Sequence, residues 1–193
     1  MDSSSSRKVL LGSECPKTRP VLGFGLRKNR LYHITSERKV VSINASVEVN
    51  ASSERIWSII SDIDREPEFW KGLNSARITK REGSVIEREV DVGFMGHTGH
   101  QIIKLDLNNS KIEVEMTSGP LIGSRTMKLV PLQNGANTRL ESSWNFSFSK
   151  VPIFARGFVK SQIESVTKNA LEKIAIEAEG KKPTNKVVLV SSK

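Results

Sequence analysis

Apolar and polar positions divide the chain into an opening strand, a broken helix, a run of strands and one long helix. Between Lys39 and Asn50, Val41, Ile43, Ala45, Val47 and Val49 fall at every second position. A period of two with β-branched residues predicts a half-buried strand. Ser52 or Ser53 then caps a helix whose apolar stripe is Ile56, Trp57, Ile59, Ile60 and Ile63. Glu66-Pro67-Glu68-Phe69-Trp70 breaks and restarts that helix. Pro67 suits a first helical turn, and the aromatic pair after it folds back onto the core.

Strands follow in succession. The first is short, over 76–81. The second runs from Val85 to Phe94 with Ile86, Val90, Val92 and Phe94 on one face. A third, from His100 to Leu107, ends at the turn signal Asn108-Asn109-Ser110. Ile112, Val114 and Met116 then alternate with Lys111, Glu113 and Glu115. Leu121 to Val130 leads to Gln133-Asn134-Gly135, a hairpin signal. In the last strand Leu140, Ser142, Trp144, Phe146 and Phe148 share a side. Antiparallel strands with one wet face alternate in this way.

After Pro152 the period changes. Phe154, Phe158, Ile163, Val166, Ala170 and Ile174 fall near steps of three and four residues, which predicts a helix of about 25 residues with one apolar side. Gly180, with Lys181 and Lys182, ends it. Lys160, Glu164, Lys168 and Glu172 lie on its wetter flank at pairing distance. Strands in sequence followed by a terminal helix predict an α+β fold: a curved antiparallel sheet of about seven strands wrapped around the long C-terminal helix.

The 193 residues suit one domain with loose ends. Residues 39–180 form that domain, and 1–38 and 181–193 read as flexible basic segments. The net charge of +9 suggests nucleic acid until it is mapped. Residues 1–39 hold nine Lys/Arg and three Asp/Glu, and 181–193 hold four Lys and no acid. Residues 40–180 are left with 17 basic against 18 acidic side chains, so the body is near neutral. That argues against a broad basic docking face on the domain itself, and no specific DNA binding is expected. Weak contact of the tails with RNA or an anionic membrane surface stays open. Cys15 is the only cysteine, so no internal disulfide forms. No apolar run approaches the roughly 18 residues of a membrane span. A cytoplasmic location is expected. A mitochondrial one is the alternative if the basic, Ser-containing N-terminal segment is a transit peptide.

The order of elements and several phrases resemble the START-like, or SRPBCC, superfamily with its helix-grip fold. The phrases are VEVNASSERIWSIISDIDREPEFW (Val47–Trp70), SGPLIGSRTMKLVPL (Ser118–Leu132), NTRLESSWNFSF (Asn137–Phe148) and the terminal helix. Coverage is about residues 40–178, and the likeness is greatest to the coenzyme Q-binding and polyketide cyclase/dehydrase branch. The resemblance implies a deep apolar cavity between sheet and last helix for lipids, isoprenoid quinones or polyketides.

Candidate residues follow from that expectation. Phe69, Trp70, Phe94, Met95, Met116, Trp144, Phe146, Phe154 and Phe158 line such a cavity or fill a packed core. His97 and His100 are too few and lack acidic or thiol neighbours for a metal, so no metal or cofactor is expected, and one ligand hydrogen bond is their candidate role. Arg88 shares a strand face with Ile86 and Val90. Pointing inward it needs a partner or a ligand oxygen, and at a sheet edge it snorkels out. Arg125 and Ser142 are similar candidates. No phosphate loop, nucleophile elbow or nucleophile–base–acid set can be assembled, so no catalytic residue is assigned. The expected function is non-catalytic binding or transport of a hydrophobic small molecule. A cyclase/dehydratase-type enzyme and a ribosome- or RNA-associated module are the alternatives. Tyr32, the only tyrosine, lies outside the domain, which weighs against the enzyme.

Overall fold

The computed structural model describes residues 39–93, 96–132, 135–180 and 186–191. The expectations for residues 1–38, for Phe94 and Met95, and for most of the C-terminal segment lie outside them. In chain order the elements are β1 (Val41–Val49), α1 (Ser53–Ile60), a 3₁₀ turn (Ile63–Arg65), α2 (Glu66–Phe69) and β2 (Leu73–Glu82). Then come β3 (Val85–Val92), β4 (His97–Asp106), β5 (Lys111–Ser118), β6 (Leu121–Leu132) and β7 (Asn137–Phe148). A 3₁₀ turn (Ile153–Ala155), α3 (Arg156–Glu179) and β8 (Val188–Ser191) are the last elements among the described residues.

Among the described residues the sheet has eight strands in the order β2-β3-β4-β5-β6-β7-β1-β8, every pair antiparallel. β2 to β7 form a meander of hairpins, and β1 closes against β7 with Ile43 opposite Trp144 and Val47 opposite Leu140. The inward faces carry Ile43, Val47 and Val49 on β1, Ile86 and Val90 on β3, Ile112, Val114 and Met116 on β5, and Leu140 and Phe146 on β7, all buried. Lys111, Glu113 and Glu115 alternate with the β5 set, as the period of two requires.

α1 begins where Ser52 accepts a hydrogen bond from the Arg55 N–H. Pro67 stands in the first turn of α2. α3 ends at Gly180 in the left-handed conformation, φ 68°, which a residue without Cβ adopts without strain. Its buried residues, Val159, Ile163, Thr167, Ala170, Leu171, Ile174 and Ala175, face the sheet. No helix among the described residues is long and apolar enough to cross a membrane.

Three differences from the sequence reading have local causes. β2 starts at Leu73 rather than at 76, because irregularities at Leu73/Ser75 and Ile78/Lys80 interrupt its alternation. The C-terminal segment is not wholly a flexible tail. Val188–Ser191 pair with Ile43–Ser46, covering the free edge of β1 with a β-branched run. Finally, Phe154 and Phe158 are exposed, at 90% and 62%. The stripe runs through Val159 and Ile163, and five residues from Phe158 to Ile163 turn a helix by about 500°, leaving Phe158 well off the buried side.

Candidate functional site

The core divides into two clusters. One joins β1, α1, α2 and the C-terminal half of α3, with Ile56, Trp70, Leu140 and Ile174 among its members. The other joins Ile43, Met116, Leu121, Phe146, Val159 and Ile163. Trp144 packs against both.

Beside Trp144 the side chains leave a cavity of about 640 Å³ of atom-free space, its open mouth included. The part in which a water-sized sphere sits clear of every wall is about 70 Å³, so the cavity is narrow as it stands. Its roof is Ile163 and Val166 of α3. Its floor is the inward face of the sheet: Val90 and Val92 of β3, Gly99 and Gln101 of β4, Met116 and Ser118 of β5. Leu121 and Arg125 of β6, Trp144 of β7, and Trp70 and Leu73 near α2 close it. A lining this apolar with a few fixed polar groups is the composition of a small-molecule site.

The polar groups form one buried cluster. Glu66 sits at the start of α2, Arg88 at the centre of β3 and Arg125 on β6; they are 6%, 1% and 5% exposed. One Glu66 carboxylate oxygen meets Arg125 Nη2 and the other meets Arg88 Nη2. Gln101 Oε1 accepts from Arg88 Nε at 3.0 Å and from Nη2 at 2.7 Å. The Arg125 guanidinium carbon lies 4.1 Å from the centroid of the Trp70 ring and 5.4 Å from that of Trp144. The two indoles meet edge to face at 5.8 Å. Burial by itself raises the Glu66 carboxyl, but the Arg125 and Arg88 charges outweigh it and hold the group below the ordinary carboxylate range. Burial lowers Arg125 from its ordinary value, with Glu66 opposing and Arg88 adding to the fall.

The structure separates the sequence candidates cleanly. Trp70, Met116 and Trp144 line the cavity. Phe69 and Phe146 are buried in the packed core beside it. Arg88 is turned inward and held by Glu66 and Gln101, so the snorkelling alternative does not apply. His100 faces the other way. On β4 the inward positions are Gly99, Gln101 and Ile103, and the His100 ring lies 3.0 Å from Thr117 Oγ1 and 3.7 Å from Glu87. His97 is exposed at the start of β4, and Phe154 and Phe158 are in solvent. None of these four lines the cavity. Among the described residues no three His, Cys, Asp or Glu side chains are grouped to hold a metal.

Glu66 escapes the sequence reading, because Glu66-Pro67-Glu68 reads as a helix break. The usable signal is electrostatic. Two arginines on inward strand faces, Arg88 and Arg125, require a buried acid. An acid in the first turn of a helix packed on that sheet is where to look.

A curved antiparallel sheet closed over a long helix, with an apolar cavity between them, defines a helix-grip protein of the START-like/SRPBCC superfamily. Within it, the chain belongs to the polyketide cyclase / dehydrase and lipid transport family, whose profile matches residues 40–179. Solved structures agree on the fold. The ZhuI aromatase/cyclase of Streptomyces sp. R1128 superposes with a TM-score of 0.65 at 15% identity, covering 73% of this chain and 94% of that one. A Thermus thermophilus protein gives 0.61 at 18%, covering 71% and 96%. A START superfamily protein of Mycobacterium smegmatis gives 0.51 at 23%, covering 72% and 95%. No curated protein sequence matches the chain.

Proposed function

We propose that this protein binds and carries a hydrophobic small molecule, a lipid, isoprenoid quinone or polyketide-like compound, in the cavity under α3 without transforming it. The observation that carries the reading is the lining: apolar and aromatic walls around one charged side chain, Arg125, which is already tied to Glu66. Apolar area leaving water there supplies roughly 25 cal/mol per Å². The roof must lift to admit a bulky guest, and the two halves of α3 are held differently. Its C-terminal half is tied by Arg65 to Glu177 at 2.9 Å, by Lys173 to the Glu68 carbonyl at 2.7 Å, and by Glu179 to the Asn50 N–H at 2.9 Å. The other half rests on apolar packing around Ile163 and Val166, with Arg156 at its first residue donating to the Val151 carbonyl at 3.2 Å and lying over the Phe148 ring. Opening there leaves the other end anchored.

Native mass spectrometry of protein purified from its own cells tests the proposal. A bound organic mass, extractable by solvent and lost when the cavity is blocked, is expected. Protein that is bare under mild conditions and takes up no apolar dye contradicts it.

One observation favours a second reading. A guanidinium in an apolar cavity polarises a carbonyl, which suits cyclase or dehydratase chemistry like that named for the Streptomyces aromatase/cyclase. Turnover of an extracted ligand that Arg125→Met abolishes, with ligand binding retained, would select that reading.

A further inference from the structure

We propose that the molecule held in this cavity carries an anionic oxygen group and sets it against Arg125, beside Trp144. The inference rests on the cavity being a binding site and adds the chemical class of its ligand. Among the described residues the buried charged side chains are Glu66, Arg88 and Arg125, two positive and one negative. Glu66 turns one carboxylate oxygen to each guanidinium: Oε1 accepts a hydrogen bond from Arg125, while Oε2 pairs with Arg88 by charge without an aligned hydrogen bond. Gln101 Oε1 is committed to Arg88. The cluster therefore keeps a positive charge and three buried N–H groups without a protein acceptor: Arg88 Nη1, Arg125 Nε and Trp144 Nε1.

Such groups are costly to bury unpaired. They are not free to move out. The Arg125 guanidinium is stacked on Trp70 and Trp144, and Arg88 is 1% exposed. Among the described residues Arg125 is the only charged side chain in the lining, and Trp144 shares that wall. A carboxylate, or another anionic oxygen on an apolar body, would cancel the excess charge and accept from Arg125 and Trp144, the two of these residues that line the cavity, while the rest of the ligand meets the valines, Met116 and Leu121. Guanidinium donors in a dry site hold such an oxygen by charge-assisted hydrogen bonds, the strongest kind available to a protein.

Two dyes with one aromatic body test this. Anilinonaphthalene sulfonate carries an anionic group, and its parent phenylnaphthylamine does not. Each is titrated by fluorescence into the wild type, Arg125→Met and Arg139→Met. Arg139 is an exposed residue paired with Glu48, so its variant has the same net charge as Arg125→Met. Arg125→Met is expected to weaken the sulfonate at least about tenfold and the parent less than about twofold, and Arg139→Met to change neither. Equal loss of both dyes, or loss of neither, overturns the proposal and leaves the cavity reading standing. If neither dye binds wild-type protein, the cavity reading falls and the proposal with it. A second arm needs no variant: dodecanoate and dodecanol compete for bound phenylnaphthylamine on the wild type. Dodecanoate displacing at an equal or lower concentration, although it is the more water-soluble, supports the anionic class. Stronger displacement by the alcohol overturns it.

Discussion

Glu66→Gln isolates the electrostatics of the interior. The substitution keeps the shape of the side chain and removes the one negative charge that Arg88 and Arg125 share. All three groups are nine-tenths or more buried, so solvent does little to screen the loss. Removing one partner of a buried ion pair costs about 3–5 kcal/mol, because the survivor stays charged and dry. In a chain of this size each kcal/mol lowers Tm by about 2–4 °C, so a fall of about 6–20 °C is expected. Thermal and urea unfolding followed by circular dichroism at pH 7 measure it. The pH dependence carries the sign. The Glu66 carboxyl is held below its ordinary value of 4.5, so its contribution is complete above that value and lost as pH falls through the native one. The gap between wild type and Glu66→Gln should stay constant from about pH 8 to 5 and close only in more acidic solution. Replacing the whole cluster, as Glu66→Leu with Arg88→Met and Arg125→Met, should recover most of the loss. A fall below about 1 kcal/mol for Glu66→Gln, the value of an exposed pair, would show that Glu66 does not act as a buried counter-ion.

Other expectations follow from the same structure. Gly123 on β6 has φ 145°, and a Cβ there would stand 2.1 Å from the Asn145 carbonyl oxygen and 2.6 Å from Phe146 Cα. Gly123→Ala should therefore destabilise the protein by about 2 kcal/mol or more, read as a shifted urea midpoint with an unchanged slope. Val166→Trp fills the space under α3, and phenylnaphthylamine affinity should drop at least about tenfold while the far-ultraviolet spectrum is unchanged. Hydrogen exchange should find the amides of residues 158–166 opening more readily than those of 170–178, and an apolar guest should slow the first set.

The fold was legible because its signals are periodic and local. Val41 to Val49, Ile112 to Met116 and Leu140 to Phe148 alternate without a break, and Ser52, Pro67 and Gly180 stand where helices begin and end. Legibility failed where a period was interrupted or an edge had to be paired. The irregularities in β2 hid its first residues, and β8 exists only because β1 offers an edge. At the site, Trp70, Met116 and Trp144 could be read as inward aromatic and sulfur positions. The partner of Arg88 could not, since Glu66 and Arg88 are joined by tertiary packing and not by any spacing in the chain. His100 misled because one step of register separates it from the inward Gln101, and His97 because it stands exposed at the first residue of β4.

An apolar guest entering beneath α3 would be reported directly by the tryptophans. Trp70 and Trp144 line the cavity, and Trp57, on α1, does not. Indole N–H resonances should be followed by NMR as phenylnaphthylamine is added to saturation. The Trp70 and Trp144 signals are expected to shift and the Trp57 signal to stay in place. Saturable binding that moves only Trp57, or none of the three, would contradict entry beneath α3.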